Sequence, residues 1–155
     1  MNSEIFEKYK KVQEKFSLPH FTELRNAFKF DIDNEEDMFE QIRMEVSEKI
    51  FMLSERIVEH AITGSDSLCC LFEQNMISKK EREELFEIYK KMQVLKWENN
   101  LLLIHPNEKE TIKWIKKTWE LWNNDLERVM TRLCKKISNG WEDLRFEPEK
   151  TLYHG

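Results

Sequence analysis

The residue types best suited to acid–base chemistry occur together at Arg56, Glu59 and His60. Histidine exchanges a proton near neutral pH, a carboxylate can orient it, and arginine can hold a phosphate group. The same spacing also places Arg56 and His60 one turn apart on a helix surface, where a charged histidine near the helix C-terminus is favoured by the helix dipole. We expect the three side chains to be partly exposed and to border no deep cleft.

This short pattern resembles the Arg-x4–6-His signature of the HEPN ribonucleases, which are also helical bundles, although only three residues separate Arg56 from His60. What the resemblance implies is a helical, nuclease-like enzyme that uses Arg56, Glu59 and His60. We keep this enzyme as an alternative hypothesis, because a solvated helix face explains the same three residues.

The spacing of histidines and cysteines argues against a metal centre. Di-iron sites in helical bundles need a glutamate three residues before a histidine. The residues at that position before the four histidines are Ser17, Ile57, Leu102 and Thr151. Cys69 and Cys70 are adjacent and Cys134 is distant in the chain, which does not fit a zinc-ligand spacing. We expect no metal and no cofactor, and buried free thiols in a reducing, cytoplasmic environment.

Glycine and proline are scarce, with three of each among 155 residues, so the chain has few places to turn. The formal net charge of −5 argues against a dedicated nucleic-acid-binding domain, since such domains are usually basic. The longest uninterrupted apolar run, Leu101 to Ile104, is too short to span a membrane, and no basic-then-apolar leader opens the sequence. We expect a helical protein with no membrane partner.

The apolar spacing predicts an all-α fold, namely an antiparallel bundle of three long helices completed by shorter N-terminal helices, as a single domain over 1–155. The short helices are predicted within 3–17 and 18–28. The long helices are predicted from an Asn34 cap to Gly64, from a Ser78 capping box to His105, and from an Asn107 cap to Asn139-Gly140. Residues 141–155 are predicted to form a partly ordered tail.

Two short segments carry a further resemblance. They are Leu18-Pro19-x-Phe21-x-x-Leu24-x-x-x-Phe28 and Ile42-Arg43-x-x-x-x-x-Lys49-Ile50. Both are similar to segments of small archaeal helical proteins of uncharacterised activity. The resemblance implies an all-helical fold and assigns no activity and no site residue.

The residue pattern of the third predicted long helix indicates a contact surface. Trp114 and Leu121 are one heptad apart, on a flank outside the main apolar seam, and Lys113 and Lys117 lie beside them. A short N-terminal helix, a second copy of the chain or another protein would each cover the two apolar side chains. We expect intramolecular cover first and a dimer second. A basic ridge that carries an aromatic residue also suits nucleic acid.

These features favour a non-catalytic cytoplasmic interaction or adaptor protein that acts on a protein partner or on itself. Its support is the lack of a recognisable catalytic motif together with long amphipathic helices rich in aromatic residues and methionine. Two alternatives stay open. One is a nucleic-acid-associated protein that uses the basic side of helix 108–138, and the other is the nuclease-like enzyme around Arg56, Glu59 and His60.

Overall fold

A computed structural model describes residues 3–63 and 67–145, and these residues form helices and connections with no strand among them. The N-terminal helices are α1 (Ser3–Phe16) and α2 (Phe21–Phe28). The next are α3 (Met38–Leu53), a π-helical segment (Ser54–Glu59), α4 (His60–Ile62) and α5 (Leu68–Asn75). The last are α6 (Lys79–Ile104), α7 (Glu108–Leu121), a second π-helical segment (Trp122–Leu126) and α8 (Glu127–Asp143). The predicted all-α class is confirmed.

Two of the three long elements are composite rods. The first rod runs without a break through α3, the first π segment and α4, and the second through α7, the second π segment and α8. Ion pairs join α6 to the second rod: Glu98–Lys117, Lys91–Asp125, Glu84–Arg132 and Glu81–Lys136. Because the position on α6 falls as the position on the second rod rises, the two elements are antiparallel.

The first rod is joined to α6 by polar contacts. Arg43 is fully buried and bonds to Glu40 on its own helix and to Asn99 on α6. Nearer the other end of the rod, the hydroxyl of Tyr89 donates to Glu59. The residue number rises from 43 to 59 along the first rod while it falls from 99 to 89 along α6, so these two elements are also antiparallel. A buried guanidinium needs such partners, because an unpaired charge in the core would be strongly destabilising.

Each π-helical segment lies where buried residues recur at intervals of four. In the first rod these residues are Val46, Ile50, Ser54 and Val58, and in the second they are Thr118, Trp122, Leu126 and Met130. An α-helix with about 3.6 residues per turn drifts off one face at that interval, and a wider π turn restores the alignment. The apolar spacing of the first long helix predicts a seam through Leu53 and Ile57, but the π turn shifts the seam by one residue, and both side chains are only partly buried.

The first long helix begins four residues later than Asn34, the predicted cap. Asn34 instead accepts a hydrogen bond from the backbone amide of Glu36 at 2.9 Å, and 35–37 form a bend and turn before Met38. Asparagine favours such local turns because its side chain competes for nearby backbone amides. Gly64, the predicted end of this helix, lies outside the described residues.

The last helix continues beyond Asn139-Gly140, where we predicted its end, as far as Asp143. A Cβ atom at Gly140 would lie 2.3 Å from the Sδ atom of Met76, so a larger residue there would require the flexible end of the Met76 side chain to move. The predicted tail is therefore helical at its start, in 141–143. Residues 146–155 lie outside the described residues.

The N-terminal helices close one side of the bundle. The Tyr9 ring packs against Phe21 and Phe39, with ring centroids 5.0 and 6.0 Å apart, and its hydroxyl donates to the carbonyl oxygen of Pro19 at 3.0 Å. Burial raises the pKa of Tyr9 above its ordinary value. On α2, Phe28 reaches the second rod, with its ring 5.2 Å from that of Trp122. Among the described residues, no helix has the length and apolarity needed to cross a bilayer.

Candidate functional site

The outer face of α6 carries large apolar side chains that nothing in the described chain covers. We call this set the α6 stripe. It consists of Phe86, Val94, Trp97, Leu101 and Ile104, each between 50% and 67% exposed. The last four are spaced by three, four and three residues, which is the spacing of coiled-coil core positions. The stripe is thus an ordered face rather than a scatter of single exposed residues.

The stripe is the second apolar seam of α6. The apolar spacing of this helix predicts an inner seam, which is buried and consists of Leu85, Ile88, Met92, Leu95 and Leu102. A helix that is apolar on two opposite faces has the pattern of an element covered on both sides. The bundle covers only the inner face, and the α6 stripe leaves roughly 500 Å² of apolar surface in water, which is the size of the largest, often functional, patch on a monomer.

Two concave regions border the stripe on the side facing α7. The larger has a volume of about 670 Å³ and is lined by Leu101, His105, Lys113, Trp114 and Lys117, among others. The smaller, of about 300 Å³, is lined by residues that include Lys91, Val94, Lys117 and Leu121. The exposed stripe therefore continues into a groove between α6 and α7, and all four residues of the predicted contact surface line it.

The two apolar residues of that surface are covered within the folded chain. Trp114 is 3% exposed and Leu121 is 8% exposed, so both form part of the core. The indole nitrogen of Trp114 donates to the carbonyl oxygen of Leu95 at 2.9 Å, and its ring lies 6.4 Å from that of Phe51. Cover within the chain, the first of the three expectations, accounts for Trp114. The covering residues named here belong to α6 and α3, whereas we expected α1 to supply the cover.

Lys113 and Lys117 are exposed, as a contact surface requires, but both are ion-paired. Lys113 contacts Glu110 at 2.7 Å and Lys117 contacts Glu98 at 2.6 Å. Lys116, a neighbouring lysine on α7, lies 4.0 Å from Glu120. These carboxylates reduce the positive potential that would attract a phosphate backbone. The ridge therefore gives little support to the nucleic-acid alternative.

Arg56 and His60 lie at a different place, beside the first π-helical segment. They line an open cavity of about 380 Å³ together with Glu73, Cys134 and Ser138. The Nε2 atom of His60 lies 2.6 Å from a carboxylate oxygen of Glu73. This cavity is open rather than a deep cleft, and it forms because the folded chain brings α5 against α4. Glu73 was missed, since 13 residues separate it from His60 in sequence.

Glu73 is held from several sides. Its second carboxylate oxygen accepts a hydrogen bond from the indole nitrogen of Trp141 at 2.9 Å. Burial raises the pKa of Glu73, but the hydrogen bonds from His60 and Trp141 lower it by more, so the pKa lies below its ordinary value. An ionised carboxylate next to His60 fixes the orientation of the imidazole ring. Arg56 adds a nearby positive charge.

Glu59 is turned away from this cavity. Its side chain accepts the hydrogen bond from Tyr89 on α6, so the three candidate residues do not form one group. The cysteines also differ from expectation, because only Cys70 is buried, and Cys69 and Cys134 are exposed free thiols. The Sγ atom of Cys70 lies 3.6 Å from the Nδ1 atom of His60. No group of three or more His, Cys, Asp or Glu side chains in the described ranges is arranged to hold a metal ion.

Comparisons with known proteins add no functional information. No protein-family model matches the chain, and no curated protein and no solved structure matches it significantly. The functional argument therefore depends on the geometry of the α6 stripe and of the cavity around His60.

Proposed function

We propose that this chain is a non-catalytic helical interaction protein whose docking surface is the α6 stripe. The observation that carries the proposal is the exposure of Val94, Trp97, Leu101 and Ile104 at coiled-coil spacing on a helix whose opposite face is fully buried. The cytoplasmic location predicted from the three free cysteines belongs to the same proposal.

The chemistry of the stripe suits a helical partner. Trp97 lies near its centre, and tryptophan is enriched among residues that dominate binding energy. Lys91 and Glu98 flank the stripe on its α7 side, and Gln93 and Asn100 flank it on the other. An apolar centre between polar edges is the usual anatomy of a protein–protein interface, in which the edges fix register and the centre excludes water.

The test compares proteins captured from the native cell after chemical cross-linking. The bait variants are the wild type, Trp97→Glu and Met44→Glu. Met44 is the matched control, because it is 55% exposed and lies on α3, away from the stripe. We expect the wild type and Met44→Glu to capture the same protein and Trp97→Glu to lose it, with the helical circular dichroism of all three unchanged. Equal capture by Trp97→Glu would contradict the proposal.

A second candidate function has its own observation, the shared cavity of Arg56, His60 and Glu73. A histidine oriented by a carboxylate can act as a general base, and an adjacent arginine can bind a phosphate group. This arrangement supports phosphodiester cleavage, the activity of the nuclease-like alternative. Glu73 replaces Glu59 in this version of the hypothesis, because Glu59 lies against Tyr89.

The cleavage hypothesis is tested by incubating purified protein with single-stranded RNA. If it holds, His60→Ala and Arg56→Ala abolish cleavage and Glu59→Gln leaves it unchanged. Cleavage that persists in His60→Ala would identify a contaminating nuclease, and no cleavage by the wild type would remove this candidate.

A further inference from the structure

We propose that the occupant of the α6 stripe is α6 of a second copy, packed antiparallel about a two-fold axis. This inference rests on the proposed docking role of the stripe and names its partner. Homodimers with two-fold symmetry are the commonest oligomers, and they require a surface that is complementary to itself. The α6 stripe meets that requirement in its shape and in its charges.

The apolar positions pair when the axis passes between residues 95 and 96. In this register Val94 lies opposite Trp97 of the partner subunit, and Phe86 lies opposite His105 of the partner subunit. Leu101 faces the aliphatic part of Lys90 of the partner subunit and Ile104 faces the aliphatic part of Glu87 of the partner subunit, so the fully apolar pairs lie at the centre of the contact. The paired segment spans positions 86 to 104 of both helices, which is roughly 27 Å at 1.5 Å per residue.

The flanking charges are complementary in the same register. Lys91 and Glu98 of the partner subunit lie on the same edge of the contact, roughly 3 Å apart along the axis, and the two-fold axis creates this pair twice. On the other edge, Gln93 and Asn100 of the partner subunit have the same offset, and two amide side chains can exchange hydrogen bonds. Charge pairs at these edge positions select orientation and partner in coiled coils.

A parallel pairing is disfavoured by Lys90, which occupies a position at the centre of the stripe. In a parallel pair, the two copies of Lys90 would meet in the apolar contact, where like charges are destabilising. In the antiparallel register Lys90 lies opposite Leu101 of the partner subunit, and the two lysines are roughly 16 Å apart along the axis. The sequence of the stripe thus favours one of the two orientations.

The area is adequate for a dimer. A stable interface buries about 800 Å² on each partner. The five apolar side chains supply roughly 500 Å² of this on each copy, and their polar flanks supply the rest. Leaving this surface in water would also invite nonspecific association.

The first experiment measures mass in solution by light scattering or sedimentation at rising protein concentration. We expect the wild type and Met44→Glu to reach twice the chain mass of 19.0 kDa, and Trp97→Glu and Leu101→Glu to stay at 19.0 kDa. A wild type that stays monomeric at high concentration would overturn the dimer. The proposed docking function would then be judged separately, by the cross-linking comparison with Trp97→Glu.

The second experiment tests the antiparallel register by charge reversal. Lys91→Glu alone and Glu98→Lys alone each place like charges opposite each other in both symmetric contacts, so each variant should associate at least tenfold more weakly. Mixing the two variants restores opposite charges in both contacts, and the mixture should regain the wild-type association. Thermal unfolding of each variant alone reports the loss of the intramolecular pairs with Asp125 and Lys117.

The mixing result is decisive for orientation, because a parallel pair does not bring positions 91 and 98 together. A dimer that both reversals leave intact, or a mixture no stronger than its components, would overturn the antiparallel register. A dimer that survives Trp97→Glu and Leu101→Glu would overturn the assignment of the interface to the α6 stripe.

Discussion

The outer face of α6 and the inner flank of α7 carry the same residue types, but the first is exposed to solvent and the second is buried. Trp97 and Leu101 on α6 are 67% and 60% exposed, whereas Trp114 and Leu121 on α7 are 3% and 8% exposed. Both helices are rich in lysine and glutamate around these residues. The difference arises from neighbours: α7 is enclosed by α6 and the first rod, and the outer side of α6 faces no other element of the described chain.

This contrast teaches how an apolar flank should be interpreted. Periodicity identifies a face that must be covered, but it does not identify the element that covers it. Trp114 lies outside the main seam of its helix and still reaches the core, because α6 packs close enough for the indole to bond to a backbone carbonyl. A residue outside the seam is therefore not by itself a sign of an interface.

The largest expected difference between the two regions is in stability. Trp114→Ala should lower the free energy of unfolding by about 3–5 kcal/mol, because it removes a buried indole and leaves a cavity. Trp97→Ala should change the unfolding of the monomer by less than about 1 kcal/mol. Urea denaturation at a concentration too low for association measures both values, and equal losses would show that the two tryptophans are equally buried.

The next prediction compares two ion-paired glutamates of α6, Glu81 and Glu87, by how their contributions to folding stability depend on pH. Hydrogen bonds from Lys136 and Ser78 lower the pKa of Glu81 to about 2. A carboxylate with a depressed pKa stabilises the fold fully above its ordinary pKa of about 4.5 and loses that contribution as pH falls towards 2. The gap in stability between the wild type and Glu81→Gln should therefore be constant from pH 5 to 7 and vanish near pH 2.

Glu87→Gln is the control for this pH series. Glu87 pairs with Lys90 on the outer face, where both side chains are more than half exposed. Exposed pairs of this kind contribute about 0–1 kcal/mol, so we expect this variant to unfold almost as the wild type does. A loss as large as that of Glu81→Gln would mean that the outer face of α6 is covered in the monomer.

The smallest expected effect concerns the basic side of α7. Replacing Lys113 and Lys117 together with alanine should cost at most about 1 kcal/mol, because each pair is exposed to solvent. We also expect the retention of the protein on heparin to be weak and nearly unchanged by this double substitution. Strong, salt-sensitive retention that the substitution abolishes would favour the nucleic-acid alternative over docking through α6.

Local sequence predicted the helices and their inward faces well. The Ser78 capping box is present, with the hydroxyl accepting from the amide of Glu81, and Asn107 caps α7 in the same way. Leu85, Leu95 and Leu102 are buried as their spacing indicated. Capping and periodicity depend on residues within one or two turns of each other, so they can be derived from the sequence without knowing the rest of the fold.

The π-helical segments and the cavity around His60 could not be derived in this way. A π turn forms when core positions at four-residue intervals must all face one neighbour, and that demand comes from packing. The pairing of His60 with Glu73 depends on how the chain returns at α5, and no local pattern encodes that return. The signal available for the α6 stripe was its spacing of three, four and three, which lies in the sequence beside the inner seam.

The sequence by itself determined an all-α chain with long amphipathic helices, because scarce glycine and proline and a helical apolar period leave no other regular structure. Only the tertiary structure decided which apolar faces are buried. That outcome depends on which helices become neighbours, and the neighbours of a helix are set by contacts between residues far apart in the chain. Packing placed Trp114 inside and left Trp97 outside, although each lies on an amphipathic helix among lysines and glutamates.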